Sequence, residues 1–227
     1  MISTRAILNE IWLTDSGQVG GSLTGAEGLR LTAGQYLLAH RPEGLEPLPA
    51  ALFPTAGGTA GLLRLAPPLP SGWSPGTRLV VRGPLGHGFK LPPSARRVAL
   101  AAPFGAPHRL LPLIAPALAQ GAVVTLLAEE LPRGLPAAVE ALPLESLGEA
   151  PAWADYLALD VPRAMLNRLP GLADGLGRLC PTQVLVAGPL ACGGLAECGV
   201  CAVPGRGGAL LACKEGPVFD FDRLELR

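Results

Sequence analysis

The sequence has little charge, few aromatic side chains and no long apolar run. Charged residues make up 16% of the 227 residues, 18 basic side chains balance 18 acidic ones, and aromatic residues account for 4%. Because positive charge is not concentrated anywhere, we expect neither a nucleic-acid-binding surface nor a patch for anionic membranes. No stretch reaches the roughly 18 uninterrupted apolar residues of a membrane-spanning helix, so none is predicted.

Two further features are absent. The N-terminal stretch MISTRAILNEIWL lacks the Lys/Arg-rich start and apolar run of a secretory signal peptide, so we expect a cytoplasmic protein. No Ser/His/Asp arrangement or nucleophile elbow is present, so hydrolase chemistry has no support. In a reducing cytoplasm, clustered cysteines hold metal ions more often than they form disulfides. The cysteine pattern is therefore the main clue to function.

The sequence pattern changes near residue 95. Before it, Pro and Gly separate short apolar segments, which is typical of a small antiparallel barrel. After it, strands and helices are predicted to alternate, as in an α/β domain with a parallel sheet. The predicted strands are RRVALAAP, AVVTLLAEE and ADYLALD, and the predicted helices are APHRLLPLIAPALAQG, PAAVEALP and PRAMLNRLPGLADGLGRL. We expect a barrel at 1–94, an α/β domain at 95–179 and a cysteine segment at 180–227.

Four of the five cysteines are spaced Cys192-x5-Cys198-x2-Cys201-x11-Cys213. Three close thiolates and one distant thiolate favour a [2Fe–2S] cluster, whose plant-type ligand pattern is C-x4-C-x2-C with a distant fourth cysteine. The neighbouring glycines allow backbone N–H groups to approach the sulfurs. A structural zinc site remains an alternative, although it usually uses two short C-x2–4-C pairs, and unliganded or disulfide-bonded thiols are a third. Cys180, outside the cluster, is predicted to be a buried apolar side chain.

A known family shares this segment. ACGGLAECGVCAV followed by CKEGPVF resembles the C-terminal cluster segment of the electron-transfer subunit of class 1B dihydroorotate dehydrogenase, which carries A-C-G-x-G-x-C-x-x-C and then C-K-x-G-P-V-F. The resemblance implies that Cys192, Cys198, Cys201 and Cys213 hold the cluster. This chain has five residues rather than four between Cys192 and Cys198, so the loop should bulge by one residue.

The resemblance extends upstream in the same order. AGQYLLA and GTRLVVRGPLGHGFKLP resemble segments of the family's flavin-binding barrel, and ADYLALDVPRAMLNRL resembles a segment of its nicotinamide domain. The implied fold is a β barrel plus an α/β domain, as in ferredoxin–NADP reductases, with a C-terminal [2Fe–2S] segment. His87, in the GPLGHGF turn, is predicted to bond its own turn backbone.

The nucleotide motifs depart from the family. Its flavin-binding R-P-x-S is replaced by PLPAALFP, with no Arg, Ser or Thr at 49–52, and the stretch that corresponds to its Gly-Thr is LAPPLPSG, with Pro67 and Pro68. Its G-G-G-x-G turn is replaced by LAAPFGAPHRLLPL, and Asp160-Val161 stands in place of a Cys-Gly. Phosphate binding needs backbone donors or a cation, so the sequence leaves FAD binding open, disfavours NAD(P) and assigns no nucleotide-binding residue.

The resemblance implies an iron–sulfur electron-transfer subunit. It would relay electrons between a flavin-bearing catalytic partner, similar to dihydroorotate dehydrogenase of pyrimidine biosynthesis, and an external carrier such as a ferredoxin. It would act within a hetero-oligomeric oxidoreductase complex rather than as an enzyme alone, and no catalytic residue is assigned. The alternative is a degenerate, non-catalytic structural or regulatory subunit with the same fold.

Overall fold

The structure is a computed structural model that describes residues 2–26, 28–44, 46, 48–56, 61–172 and 175–226. Two six-stranded sheets and one two-stranded hairpin form its β structure. Within these residues, no helix is long and apolar enough to cross a bilayer.

The first sheet is antiparallel throughout and curls back on itself. Its strands are β1 (Ile2–Leu13), β2 (Val19–Thr24), β3 (Tyr36–His40), β4 (Ala50–Leu52), β5 (Leu63–Leu65) and β6 (Arg78–Leu85). Their spatial order is β4-β3-β6-β1-β2-β5. The edge strands meet again where the Thr55 amide donates to Arg64 O at 3.0 Å and the Ala66 amide to Phe53 O at 2.8 Å. The predicted antiparallel barrel is confirmed.

Leucine side chains fill the barrel interior. Leu8, Leu23, Leu37 and Leu65 are fully buried and belong to one cluster. Alternate residues of a strand point to opposite faces of the sheet, so each strand supplies leucines to the core while its other side chains face outward. Aliphatic side chains therefore dominate this interior, in keeping with a sequence that has few aromatic residues.

The second sheet is mostly parallel. The remaining strands are β7 (Arg97–Ala102), β8 (Val123–Ala128), β9 (Val139–Leu142), β10 (Tyr156–Pro162), β11 (Thr182–Ala187), β12 (Ala202–Gly205), β13 (Gly208–Leu211) and β14 (Val218–Asp220). The sheet has the order β14-β11-β10-β7-β8-β9, and only β14 runs antiparallel to its neighbour. β7, β8 and β10 confirm the three predicted strands. β12 and β13 form the separate hairpin.

Two predicted helices are wrong. PAAVEALP forms the strand β9, which adds to the parallel sheet beside β8. PRAMLNRLPGLADGLGRL forms a 3-10 helix, Arg163–Gly171, and its residues 173–174 lie outside the described part of the chain. Pro143 at the end of the first segment and Pro170 inside the second lack the backbone N–H that an α-helix needs beyond its first turn.

The third predicted helix, APHRLLPLIAPALAQG, is α-helical only in its last part. Pro107 and Pro112 lie in separate 3-10 turns, and helix α1 (Ile114–Ala119) follows them. Gly121 ends the segment as predicted, with φ +78°, a conformation that glycine adopts without strain. The short helix α2 (Ala150–Trp153) lies between β9 and β10.

The two sheets share a hydrophobic core. Tyr36 and Phe53 of the barrel belong to the same buried cluster as Leu100, Leu126 and Leu159 of the second sheet. Beyond β11 the chain leaves the second sheet, carries the clustered cysteines, and returns to the sheet as β14. Both ends of the cysteine segment are thus attached to a packed sheet.

Candidate functional site

The four clustered cysteines come from two adjoining pieces of chain. Cys192 and Cys198 lie in the loop between β11 and β12, Cys201 directly precedes β12, and Cys213 follows β13. The hairpin brings the last two together, and the Ala212 amide donates to Cys201 O at 3.1 Å. Cys201 and Cys213 are buried, Cys192 is half-buried and Cys198 is exposed.

The cysteine side chains interact as two pairs. The Cys198 thiol lowers the pKa of Cys192, and the Cys201 thiol raises the pKa of Cys213, so each of these pairs lies close together. Burial raises the pKa of Cys213 to about 11, with a further contribution from Cys201 and Cys192. A [2Fe–2S] cluster distributes its four protein ligands over two irons, and two sulfur pairs suit that distribution.

Backbone N–H groups converge on the sulfurs. The Cys192 sulfur accepts hydrogen bonds from the amides of Glu197, Cys198 and Leu195, and these bonds lower its pKa from 9.0 to about 6. The Ala196 amide donates to the Cys213 sulfur. Donors of this kind stabilise thiolates and tune a bound metal centre.

Left-handed backbone conformations turn these amides inward. Gly193, Gly194 and Gly199 have φ of +64°, +82° and +67°, and Ala196 has φ +64°. Ala196 is the one non-glycine residue with positive φ within the described ranges. The five residues between Cys192 and Cys198 are thus accommodated by a tightly curled loop.

Two arginines outside the segment hold this loop. The Arg82 guanidinium on β6 donates to Gly193 O. Arg163, just after β10, donates to Ala202 O at 2.8 Å and to Val200 O at 2.6 Å. One arginine therefore fixes the loop to the barrel and the other fixes the hairpin to the second sheet. The sequence reasoning missed both residues, because neither lies near the cysteines along the chain.

A buried tyrosine hydroxyl lies beneath the loop. Tyr36 is fully buried, and its hydroxyl has no hydrogen-bond partner in the described part of the chain. Burial raises its pKa, and the charges of Cys213 and Cys201 raise it further. The hydroxyl is therefore a protonated donor near the sulfurs, and a buried donor without a partner is strongly unfavourable unless a ligand satisfies it. This observation fits an anionic, sulfur-rich group at the site.

The end of the segment is tied to the barrel. The His87 amide donates to Gly216 O at 2.7 Å, and Nδ1 of its ring lies 3.1 Å from Glu215 O. The expectation that His87 bonds its own turn is therefore wrong, because its hydrogen bonds reach the chain just after Cys213. Cys180 is buried in the main core as predicted, and burial raises the pKa of its thiol.

Within the described part of the chain, no three His, Cys, Asp or Glu side chains converge on one point where a single ion could bind. This holds for the four clustered cysteines as well. The arrangement of the four cysteines as two pairs is the observation that bears on which residues would hold a cluster. The assignment of Cys192, Cys198, Cys201 and Cys213 as cluster ligands stays a prediction.

The crevice at the carboxyl ends of β7 and β10 contains an Arg–Asp ion pair. In open α/β sheets, nucleotides bind where the strand order reverses, which here is between these two strands. Nε of Arg109 lies 2.7 Å from Oδ2 of Asp160, whose side chain is 1% exposed. The Arg109 guanidinium also packs over the Phe53 ring, 5.6 Å from its centroid.

The residues around this crevice do not fit a dinucleotide pyrophosphate. Gly105 is the one glycine in the turn after β7, and the Leu110 and Leu113 amides are engaged within their own 3-10 turns. In the barrel, β4 offers alanine and leucine side chains where the flavin-binding motif of the family has an arginine. Asp160 already neutralises Arg109, so this guanidinium is not free to bind phosphate.

Comparisons with known proteins place the cysteine segment in a described family. The family model for the iron–sulfur cluster binding domain of dihydroorotate dehydrogenase B matches residues 190–225. The comparison with curated proteins found no match for this chain. The predicted resemblance of the cluster segment is confirmed.

Solved structures show the fold of the whole chain. A NADH-dependent reduced ferredoxin–NADP oxidoreductase studied for flavin-based electron bifurcation has a TM-score of 0.75 at 16% identity, over 97% of this chain and 89% of that chain. The ferredoxin reductase in carbazole 1,9a-dioxygenase has a TM-score of 0.57 at 14% identity, over 74% of this chain and 63% of that one. Ferredoxin–NADP+ reductase from Plasmodium falciparum has a TM-score of 0.55 at 9% identity, over 75% and 89%. The predicted ferredoxin–NADP reductase-like fold with a C-terminal iron–sulfur segment is confirmed.

Proposed function

We propose that this chain is an iron–sulfur electron-transfer subunit in which Cys192, Cys198, Cys201 and Cys213 hold a [2Fe–2S] cluster. The observation that carries the proposal is the convergence of backbone N–H groups on two sulfur pairs, within the segment matched by the cluster-binding family model. A bound cluster would supply one-electron transfer.

The chain's own residues would set the electrostatic environment of the cluster. The amides of Leu195, Glu197 and Cys198 stabilise thiolate at Cys192. The Tyr36 hydroxyl provides a further donor from the barrel side. Hydrogen bonds to cluster sulfurs and exclusion of solvent are the means by which proteins adjust cluster potentials.

The proposed partner is a flavin-bearing catalytic subunit that docks over Cys198. The loop on either side of this exposed cysteine presents Leu195, 59% exposed, and Val200, 41% exposed. Apolar side chains next to an exposed ligand suit a protein interface. The link to dihydroorotate oxidation, and so to pyrimidine synthesis, rests on the resemblance of the cluster segment. A ferredoxin or another carrier would exchange electrons with the complex.

A second candidate function is a non-catalytic structural subunit of a redox complex. The Arg109–Asp160 pair in the nucleotide crevice favours it, because a reductase of this fold needs that crevice for its cofactor. In that case the metal site would only fasten the segment to the sheets.

Anaerobic purification tests the proposal. The protein should be brown, with iron and acid-labile sulfide each near two per chain. Cys201→Ser should abolish the iron, while Cys180→Ser, at the cysteine outside the cluster, should retain it. A colourless protein with stoichiometric zinc would contradict the iron–sulfur assignment. A yellow supernatant after denaturation would show that FAD is bound, and a redox-inert cluster would favour the structural subunit.

A further inference from the structure

Three arginines lie together on the outer side of the barrel, on strands β1 and β6. In the antiparallel register of these strands, Arg5 lies opposite Val80, and Arg78 and Arg82 stand two positions before and after Val80. Opposed residues of a sheet share a face, and alternate residues of a strand return to it. The intervening residues of β6 belong to the barrel core, so the three arginines point outward. We call this surface the arginine face.

No acid neutralises the arginine face. Arg5 and Arg78 are exposed and Arg82 is half-buried. No carboxylate within the described ranges forms a salt bridge with any of them. Glu46, in the loop that borders this face, already pairs with Arg41. Diagonal positions of a sheet are about 7–8 Å apart, so the fields of the three positive charges add up.

The arginine face continues to the cysteine loop. A groove of about 460 Å³ is lined by Val80 and Arg82 on the barrel side and by Cys192 and Leu195 on the loop side. Arg82 also donates to Gly193 O. Because Cys192 is half-buried, a protein seated on the arginine face would come close to one proposed ligand of the cluster.

Charge rather than apolar area distinguishes this face. The residues between the arginines on the two strands are Ser3, Ile7 and Val80, which offer little apolar surface and no aromatic ring. Permanent subunit interfaces are large and apolar, whereas electron-transfer encounters are small and steered by charge. Binding of single-stranded nucleic acid uses aromatic side chains on which bases stack. The composition of the face therefore favours a transient protein partner.

We propose that the arginine face docks a small, acidic one-electron carrier protein beside Cys192. Carboxylates of the carrier would meet Arg5 and Arg78, while Arg82 holds the cysteine loop on the barrel. The flavin-bearing subunit is proposed to contact Cys198 instead. The role of the partner as an electron carrier rests on the proposed function, whereas the docking of an acidic protein does not.

Interferometric binding to the purified full-length chain tests this docking. The probe is an acidic plant-type ferredoxin, and basic cytochrome c is the control of opposite charge. The ferredoxin should bind at an ionic strength of about 0.01 M, where charges are screened over about 30 Å. Its Kd should rise roughly tenfold at about 0.1 M, where the screening length is about 10 Å. Cytochrome c should not bind.

Variants locate the docking surface. Arg5→Gln and Arg78→Gln should each weaken ferredoxin binding about threefold, and together about tenfold, as expected for the loss of exposed ion pairs. Arg5→Lys keeps the charge and should keep the affinity. The matched control is Arg178→Gln, because Arg178 is exposed and precedes β11, whereas the cysteine loop follows β11. This control should bind ferredoxin as the parent chain does.

The iron content is measured on the same preparation, because docking does not require electron transfer. If the protein is brown and the double variant binds ferredoxin as the parent chain does, the docking proposal is wrong and the proposed function stands. If the protein is colourless, the proposed function is wrong, and weaker binding by Arg5→Gln would still support an acidic partner. Equal weakening in Arg178→Gln, or a DNA duplex that binds more tightly than ferredoxin, would overturn the docking proposal.

Discussion

Ala196 adopts a backbone conformation that suits glycine. Its φ of +64° lies in the left-handed region, where the Cβ of an L-residue is unfavourable by about 1–2 kcal/mol. The strain persists because the Ala196 amide donates to the Cys213 sulfur. A local penalty is thus tolerated where it orients a donor toward a ligand.

Ala196→Gly should stabilise the cluster loop. Relief of the left-handed strain outweighs the added freedom of glycine in the unfolded chain, leaving a net gain of up to about 1 kcal/mol. Slower loss of visible absorbance under a chelator would measure it. Ala202→Gly, in β12 with ordinary strand geometry, is the control and should accelerate loss. A faster loss in Ala196→Gly would show that the alanine methyl is needed.

Cys192 should be the most reactive thiol of the iron-free chain. Its pKa of about 6 makes it a thiolate at neutral pH, whereas Cys213, with a pKa of about 11, stays protonated. Iodoacetamide labelling followed by mass spectrometry should show modification of Cys192 rising through pH 6 and levelling above pH 7. Cys213 should remain unlabelled at pH 7. Equal labelling of both residues would mean that the amide donors do not act on Cys192.

At the scale of elements, apolar runs identified β7, β8 and β10 because buried parallel strands are continuous in hydrophobicity. Helices were harder to predict. PAAVEALP forms a strand because it pairs with β8 at the edge of the sheet, and this pairing is not visible in the local sequence. The cysteines themselves were identified by spacing, which is local. Arg82, Arg163 and Tyr36 were missed because they meet the site only after folding.

Arg163 fastens the hairpin to the second sheet, so Arg163→Gln should loosen the cluster. Loss of two hydrogen bonds from a charged donor lowers the stability of the docked hairpin by about 1.5 kcal/mol, which corresponds to roughly tenfold faster cluster loss. Bleaching under a chelator measures the rate. The matched control is Arg168→Gln, whose guanidinium packs over Phe104 and contacts Met165. Equal rates of cluster loss in the two variants would show that the Arg163 hydrogen bonds do not hold the hairpin in place.

At the scale of the whole molecule, the Arg109–Asp160 pair joins the two domains, because Arg109 also packs on the barrel's Phe53. Arg109→Met should lower the free energy of unfolding by about 3–5 kcal/mol, since it leaves a buried carboxylate without a cation. Arg109→Met combined with Asp160→Leu should recover most of the loss.

Urea unfolding measures these differences. The exposed Arg133–Asp15 pair is the control, and Arg133→Met should change the free energy by less than about 1 kcal/mol. A small effect of Arg109→Met would show that water reaches Asp160.

The chain returns to the second sheet as β14 only after the long segment that carries the clustered cysteines. Without metal, the loop between β11 and β14 is closed by hydrogen bonds from Arg82, Arg163 and His87 and by hydrophobic packing, and closing it lowers chain entropy. A cluster would act as a cross-link that shortens this loop. β14 would then separate from β11 more readily in an unloaded chain, and a protease that cuts opened backbone would remove unloaded copies before they reach a partner.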